Sequence, residues 1–314
     1  MPRPSSVTSG RIPPRALGTA APARLPASTH VDRVSRTVAI LERRGYALAP
    51  DSLGAICYGG RLDMHQVLAA VATSPDLEVA SGLVVTRDAG PGSAAVAARA
   101  AEHERAAPAY TAAAVRFVRQ FVRFNPYVVS VSLAGSLASG GFRESDDVDL
   151  NLVVEDGLRH LAYAALNAFA GLHALAHRGK PVDDLTRRPL APRLMTANLI
   201  LERSQCFPLE RTDEDMAFEL MQSRPLYGGG FLADVVAANP ALLDHFPQLA
   251  ERTGGERSRR RLGALVPRFL DPPARIVGRA AWRYMQRTRR DHPEALARVA
   301  FVRATMRPYA LFDD

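Results

Sequence analysis

The sequence predicts an α+β fold in which a small mixed sheet is flanked by helices. Two stretches rich in β-branched residues, at 127–133 and 148–154, have the composition and alternation of neighbouring strands. Before and after them, apolar residues recur at the spacing of helices. We therefore expect a helical N-terminal module, a central domain that contains the sheet and a helical C-terminal region.

The composition allows a sizeable core and argues against a membrane-spanning protein. Of the 314 residues, 47% are hydrophobic, yet no apolar run reaches the roughly 18 residues that span a bilayer. The N-terminus has no apolar signal core, so we do not expect export. Cys57 and Cys206 are too few for a disulfide framework or a metal knuckle, which fits a reducing compartment. The expected location is the cytoplasm, with no membrane partner.

The basic charge of the chain lies at its two ends. Residues 1–33 carry five arginines against one aspartate, and residues 251–314 carry fifteen arginines against seven acids. Since the net charge is +8, the middle of the chain is mildly acidic. Basic ends attract phosphate polymers and acidic surfaces. A GC-rich genome explains the arginines equally well, because Lys180 is the only lysine and alanine is abundant.

The first 88 residues are predicted to comprise a tail and a small module. Residues 1–30 are mainly Pro, Ala, Ser, Gly and Arg without a hydrophobic period, which predicts disorder. Residues 31–88 contain three apolar patterns of helical spacing, followed by two short strand patterns joined through Ser81-Gly82. The predicted boundary residues are Gly45 as a stop of the first helix, Asp51 or Ser52 as the cap of the second, and Asp63 as the cap of the third.

Three helices followed by a hairpin resemble a winged helix-turn-helix. In that fold the third helix, which here begins at Asp63, enters the major groove of DNA. This helix carries no arginine or lysine, although phosphate contacts normally supply much of the affinity for DNA. The sequence therefore favours a module that packs against its own chain or a partner protein, with DNA binding as the alternative.

The central domain is predicted to span residues 98–250, after a linker at 89–97 that contains glycine and proline. A helix from 98 to 124 opens it and stops at Asn125-Pro126, since proline interrupts a helix. The two strand patterns follow this helix, so the residues between and within them are the candidates for a site.

Gly135, Ser136, Asp147 and Asp149 form the candidate site. Gly135 follows the first predicted strand, where the missing side chain lets backbone amides approach a phosphate, and Ser136 adds a hydroxyl donor. Asp147 and Asp149 are two positions apart at the second strand, so we expect their carboxylates on one face. Two carboxylates that close repel each other, and a divalent cation between them relieves the repulsion. Oxygen ligands of this kind suit Mg²⁺ or Mn²⁺.

Gly135-Ser136, then ten residues, then Asp147-Val148-Asp149-Leu150 resemble the signature of the DNA polymerase beta nucleotidyltransferase superfamily. The resemblance implies a small mixed sheet of the nucleotidyltransferase type. It also implies that Gly135 and Ser136 bind the phosphates of a nucleoside triphosphate, and that Asp147 and Asp149 are catalytic and bind the metal ions. The expected reaction moves a nucleoside monophosphate to a hydroxyl acceptor, which is a small molecule, a protein or a nucleic acid.

The superfamily further implies a third carboxylate on a later strand, as a proton acceptor or an extra metal ligand. In the next predicted strand, at 194–202, that position holds Asn198. Glu202 lies near the strand end, and Asp183 and Asp184 lie in the loop before the strand. Asn198 is therefore the candidate third position, and a catalytically weak, nucleotide-binding regulator is the alternative to an active enzyme.

Residues 256–314 are predicted to form a basic helical region. In many members of the superfamily a helical region after the catalytic domain holds the acceptor, and arginines there suit a phosphate-rich acceptor such as RNA. A solvated helix bundle is the alternative, and an interaction protein of the toxin–antitoxin kind is a further alternative for the whole chain. Two smaller patterns predict that Thr212 caps a helix and that Tyr227-Gly228-Gly229-Gly230 forms a turn.

Overall fold

The computed structural model describes residues 29–87, 92–175, 195–252 and 266–288, and single positions from 293 to 312. Within them the architecture is α+β, as predicted, with helices around a small mixed sheet. In these segments we find no helix with the length and apolar character needed to cross a bilayer. Of the predicted tail at 1–30, residues 1–28 lie outside the described residues, whereas Thr29 and His30 belong to the start of the first helix, so the prediction is wrong for these two.

The N-terminal module consists of three helices and an antiparallel hairpin: α1 (His30–Glu42), α2 (Pro50–Ala55), α3 (Met64–Thr73), β1 (Leu77–Ala80) and β2 (Leu83–Thr86). The predicted order of elements is confirmed, and Asp63 caps α3 as expected. The predicted cap of α2 by Asp51 or Ser52 is wrong. Pro50 occupies the first turn, where its fixed φ suits a helix, and Ala49 stands before it.

The helix before the sheet, α4 (Gly92–Phe124), is longer than predicted. Residues 92–97, expected to belong to a linker, form its first turns, because the alanines among them are strong helix formers. The helix ends where the sequence predicted. Asn125 closes it, since its side-chain amide donates to the carbonyl oxygen of Phe121 at 2.8 Å.

The sheet contains four described strands, β3 (Val128–Leu133), β4 (Val148–Val154), β5 (Met195–Glu202) and β6 (Arg224–Tyr227), in the order β5-β4-β3-β6. β3 pairs antiparallel with β4 and β6, whereas β4 and β5 are parallel. The turn from β3 to β4 contains α5 (Gly135–Ser139), and the crossover that a parallel pair requires contains α6 (Arg159–Ala174). β4 alternates between buried and half-buried residues, which leaves one of its faces for a site.

Four further α-helices are described: α7 (Glu214–Gln222), α8 (Gly230–Ala238), α9 (Leu242–His245) and α10 (Asp271–Thr288). The N-cap of α7 is Asp213, which accepts a hydrogen bond from the Met216 amide at 3.0 Å, so the predicted cap at Thr212 is wrong by one residue. α10 packs against α6, and its Asp271 lies 2.8 Å from His160.

The glycine-rich segment after β6 joins a strand to a helix. Tyr227 ends β6, Gly229 lies in a turn and Gly230 begins α8, so the predicted turn is the link between a strand and a helix. The chain here lies directly against β3. A side chain on Gly228, which has φ 63°, would overlap the carbonyl oxygen of Val129 and lie 3.1 Å from the Cα of Ser130. Close backbone packing therefore accounts for this glycine.

The N-terminal module packs on its own chain, as the sequence favoured. Leu41 and Leu53 belong to one buried cluster with Phe218 of α7 and Phe246, which follows α9. An ion pair of 2.9 Å between Arg44 and Asp215 crosses the same boundary. The two cysteines are buried and free.

Candidate functional site

A pocket of about 500 Å³ brings most of the predicted site residues together. Gly135 and Ser136 of α5, Asp149 of β4 and Asn198 of β5 line it. Other walls come from α7 and from the N-terminal module. Ala297 and Phe301 also line it, so the pocket joins three regions that the sequence presents as separate.

Asp149 lies directly against Gly135. A side chain on Gly135, which has φ 60°, would overlap the Asp149 Oδ2 oxygen and lie 2.8 Å from its Cγ. Two contacts hold the aspartate there: its carbonyl oxygen accepts from the Ala134 amide at 2.9 Å, and its Oδ1 accepts from the Thr196 hydroxyl at 3.0 Å. Position 135 therefore needs glycine both for its backbone conformation and for the approach of this carboxylate.

Asp147 is half-buried in the turn immediately before β4. It is not among the residues that line the pocket, whereas Asp149 is. Strand alternation places two residues on one face only where both belong to the strand, and β4 begins at Val148. Of the two predicted metal ligands, the structure thus brings Asp149 alone into the pocket lining.

Ser136 is held by the neighbouring acid, Asp146. Its hydroxyl donates to Asp146 Oδ2 at 3.0 Å, and the backbone amide of Arg143 donates to the same oxygen at 3.2 Å. Asp146 thus fixes the loop between α5 and β4. No sequence signal separates its role from that of Asp147, since both are acids in the same loop.

Arg99 of α4 ties this loop to the N-terminal module. Its side chain is only 8% exposed and lies 3.5 Å from Asp146 Oδ2. It also donates to the carbonyl oxygens of Gly45, at 2.9 Å, and of Gly141. Because each lost bond would leave a buried polar group unpaired, this cross-link is strong. The sequence does not indicate this cross-link, since Arg99 is one of many arginines in the chain.

Asn198 lies in a β-bulge of the parallel pair. Its two chain neighbours face Leu150 and Asn151, which are consecutive on β4, so Asn198 is the extra residue. A bulge re-aims a side chain, and bulges are frequent beside functional sites. Asn198 Nδ2 donates to Asn151 Oδ1 and to Glu219 Oε1, at 2.9 Å in each case.

Glu219 of α7 is a pocket residue that the sequence analysis missed. Its Oε1 accepts hydrogen bonds from the amides of both Asn151 and Asn198 at 2.9 Å. Burial raises the pKa of this carboxyl above its ordinary value, and the two amide donors oppose the rise. A signal was available, because Glu219 lies three residues after Met216 on the apolar face of an amphipathic helix.

The N-terminal module supplies a basic and aromatic wall. Arg43, Arg44 and Tyr46 line the pocket, and the Arg44 guanidinium lies 4.7 Å from the centre of the Phe218 ring. Burial raises the pKa of Tyr46 to about 12, so its hydroxyl is neutral at physiological pH. Positive charge beside aromatic rings suits an anionic ligand that carries a flat ring.

Comparison with known proteins found no match for this chain. No family model matches the chain. No curated protein matches it, and no solved structure does. The residues and contacts of the chain itself therefore carry the functional proposal.

Asp149 is a carboxylate, a kind of ligand that a hard cation such as Mg²⁺ prefers. Among the described residues, no group of three or more His, Cys, Asp or Glu side chains is arranged to hold a metal ion. Mg²⁺ is usually bound through one or two carboxylates, with waters and phosphate oxygens completing its shell. Asp149, cradled against a glycine where any Cβ would displace it, fits that kind of site.

The other candidates for the third position are Glu202, Asp183 and Asp184. Glu202 caps a short 3-10 turn at the end of β5. Asp183 and Asp184 lie outside the described residues. Asn198 is thus the predicted candidate that reaches the pocket, and Glu219 is the carboxylate beside it.

Proposed function

We propose that this chain is a nucleotidyltransferase of the DNA polymerase beta type, which moves a nucleoside monophosphate from a nucleoside triphosphate to a hydroxyl acceptor. One observation carries the proposal. Gly135, which begins α5 after β3, and Asp149 of the antiparallel β4 are in contact within a pocket of about 500 Å³. A pocket of this size falls within the ~300–1,000 Å³ that is usual for small-ligand sites.

The topology of the sheet supports the same function. β3 leads through a short helix to the antiparallel β4, and a helical crossover leads on to the parallel β5. This arrangement brings the end of β3 and the start of both β4 and β5 to one edge of the sheet. Three elements therefore meet there, as the proposed reaction requires. They are the Gly-Ser turn, the strand that carries Asp149 and the strand expected to carry the third position.

The charges around the pocket suit a triphosphate. Arg43 has a side chain that is 48% exposed, and its ion pairs with Glu214 and Asp215 measure 3.3 and 3.6 Å. Exposed pairs of this kind contribute little net free energy, so Arg43 is free to turn toward an anionic ligand. Arg44 adds a second, less exposed positive charge to the same wall.

Mg²⁺, when bound, would supply the charge that neutralises the triphosphate and the departing pyrophosphate. Asp149, the predicted ligand that lines the pocket, is the residue we expect to hold it. Thr196 orients Asp149 through the hydrogen bond to Oδ1. Ser136 and the backbone amides around Gly135 would bind phosphate oxygens, which is the role that glycine at the end of a strand permits.

We also propose that the N-terminal module is a winged-helix-like unit that builds the pocket. Its segment after α1 contributes Arg43, Arg44 and Tyr46 to the wall. Its third helix, α3, carries no positively charged side chain, so it is poorly suited to phosphate contacts along DNA. The module therefore acts as a structural part of the site.

The test of this function is transfer of label from each of the four α-³²P nucleoside triphosphates with Mg²⁺. The acceptors offered are the protein itself, a tRNA mixture and a small-metabolite extract. We expect transfer with release of pyrophosphate, and we expect Asp149→Asn to abolish it. The matched control is Asp76→Asn, because Asp76 is exposed and its carboxylate has no partner among the described residues. Equal transfer by both variants would refute the assignment.

A second function, nucleotide binding without transfer, is favoured by one specific observation. Asn198, an amide, stands where a third carboxylate is expected, and its side chain is already engaged by Asn151 and Glu219. A regulator of this kind would bind a nucleoside triphosphate and Mg²⁺ without releasing pyrophosphate. Equilibrium dialysis beside the transfer assay separates the two functions.

A further inference from the structure

Glu219 shares the pocket with Asp149 but comes from a helix and not from the sheet. Both hydrogen bonds that it accepts from Asn151 and Asn198 go to Oε1. Among the described residues, no hydrogen bond goes to Oε2. One oxygen of this carboxylate is therefore committed to the protein, and the other is available to a ligand.

The Glu219 carboxylate reaches the same face of β4 that carries Asp149. Its partner Asn151 is two residues after Asp149 on the same face of β4, and two residues of a strand span about 6.6 Å. Both carboxylates line the same pocket. Both acids can therefore act on one bound substrate.

The contacts of Glu219 with the protein do not require an acid. A glutamine has an Oε1 that would accept the same two hydrogen bonds from Asn151 and Asn198. A carboxylate in this place has the additional cost of burying a charge, which a glutamine avoids. Unlike a glutamine, the carboxylate can accept a proton, and its charge is attracted by the neighbouring Arg44.

We propose that Glu219 is the proton acceptor of the transfer reaction, in place of the carboxylate that Asn198 lacks. This inference rests on the function proposed above. The proton of the acceptor hydroxyl passes to Glu219 Oε2 as the hydroxyl oxygen forms a bond to the α-phosphorus. The bond from that phosphorus to the bridging oxygen breaks, and pyrophosphate leaves with the electron pair.

The first experiment compares Glu219→Gln with Glu104→Gln in the transfer assay and in equilibrium dialysis of the labelled nucleotide with Mg²⁺. Glu104 is exposed on α4 and is not in the pocket lining, so it is a matched control. We expect Glu219→Gln to slow transfer by about 10²–10⁴-fold, the usual contribution of a general base. Nucleotide binding should be unchanged, because the variant keeps both amide contacts.

The second experiment exchanges the two groups. In the double variant Asn198→Asp, Glu219→Gln, position 198 carries the carboxylate and position 219 carries the amide. The two side chains can keep their 2.9 Å contact, but the acid has moved from α7 to β5. We expect it to recover part of the transfer that Glu219→Gln loses. A residue with a purely structural role would show no such rescue.

The outcomes separate this inference from the proposed function. Transfer by Glu219→Gln at the rate of Glu104→Gln would overturn the role of Glu219 and leave the enzyme assignment standing. Loss of nucleotide binding together with transfer would mean that Glu219 shapes the pocket, which also overturns it. If the unmodified protein releases no pyrophosphate from any nucleotide, both proposals fail.

Discussion

Replacing Gly135 by alanine tests the contact on which the site is built. The new methyl group would overlap Asp149 Oδ2 and lie within 3 Å of two further atoms of that side chain. The backbone at φ 60° is also unfavourable for any residue that has a Cβ. The substitution therefore strains the backbone and displaces the carboxylate at once.

The structure contains glycines that separate these two effects. Gly82 has φ 79° and nothing within 4 Å of its built Cβ, so alanine there should cost only the backbone strain, about 1–2 kcal/mol. Gly171 lies in α6 at an ordinary helical φ, again with nothing within 4 Å. Alanine there should stabilise the protein by about 0.5–1 kcal/mol.

For Gly135→Ala we expect a loss of about 2–5 kcal/mol, which combines about 1–2 kcal/mol of backbone strain with about 1–3 kcal/mol of overpacking. Urea unfolding of the three variants and the unmodified protein measures these differences as shifts in midpoint at constant slope. The expected order of stability is Gly171→Ala, unmodified protein, Gly82→Ala and Gly135→Ala. If Gly135→Ala costs no more than Gly82→Ala, Asp149 does not lie against Gly135 and the described geometry is refuted.

Two further predictions concern buried charged side chains. Arg99→Met should destabilise the protein by about 3–5 kcal/mol in urea unfolding, because it leaves Asp146 and two carbonyl oxygens without their buried partner. A loss below about 1 kcal/mol would show that the guanidinium does not cross-link the two segments. Glu219→Gln should raise the melting temperature at pH 7 and change it little at pH 4. The folded-state pKa of Glu219 is raised above its ordinary 4.5, so the unmodified protein loses stability as pH rises from 4.5 through the folded value, and the variant does not. A variant that melts lower than the unmodified protein at pH 7 would contradict this sign.

The strands were predictable because their signal is local. β4 has the predicted limits, and β3 begins one residue later than the sequence indicated. Alternation and β-branching are properties of consecutive residues, so a pattern over six or seven positions contains them. The glycine of the site was predictable for the same reason, since Gly135 follows the strand directly.

Elements whose limits depend on competing local signals were predicted less well. The start of α4 was missed because glycine and proline at 90–92 were weighed above the alanines that follow them. The cap of α2 was misplaced because Pro50 at the first helical position outweighs a polar cap. α8 was missed because the glycines before it look like a turn, although close packing on β3 accounts for Gly228.

The β-bulge at the third position could not be predicted from the alternation of residues along β5. Alternation along β5 predicts which residues share a face with Asp149, but the extra residue at Asn198 shifts the register between Leu150 and Asn151. No property of consecutive residues encodes this shift. One partner of Asn198, Asn151, lies in the sheet, but the other could not be found there, since it is Glu219, which lies 21 residues later on a helix.

The pocket depends on more than one of the regions that the sequence presents as separate domains. Arg44 and Tyr46 come from the N-terminal module, whereas Asp149 and Glu219 come from the segments after it. The ion pair between Arg44 and Asp215 and the shared core hold the two regions together. If the module moved away, water would reach Glu219 and the burial that raises its pKa would be lost. The proton affinity of this carboxyl is thus a property of the assembled chain, and only long-range contacts, which no sequence pattern contains, can set it.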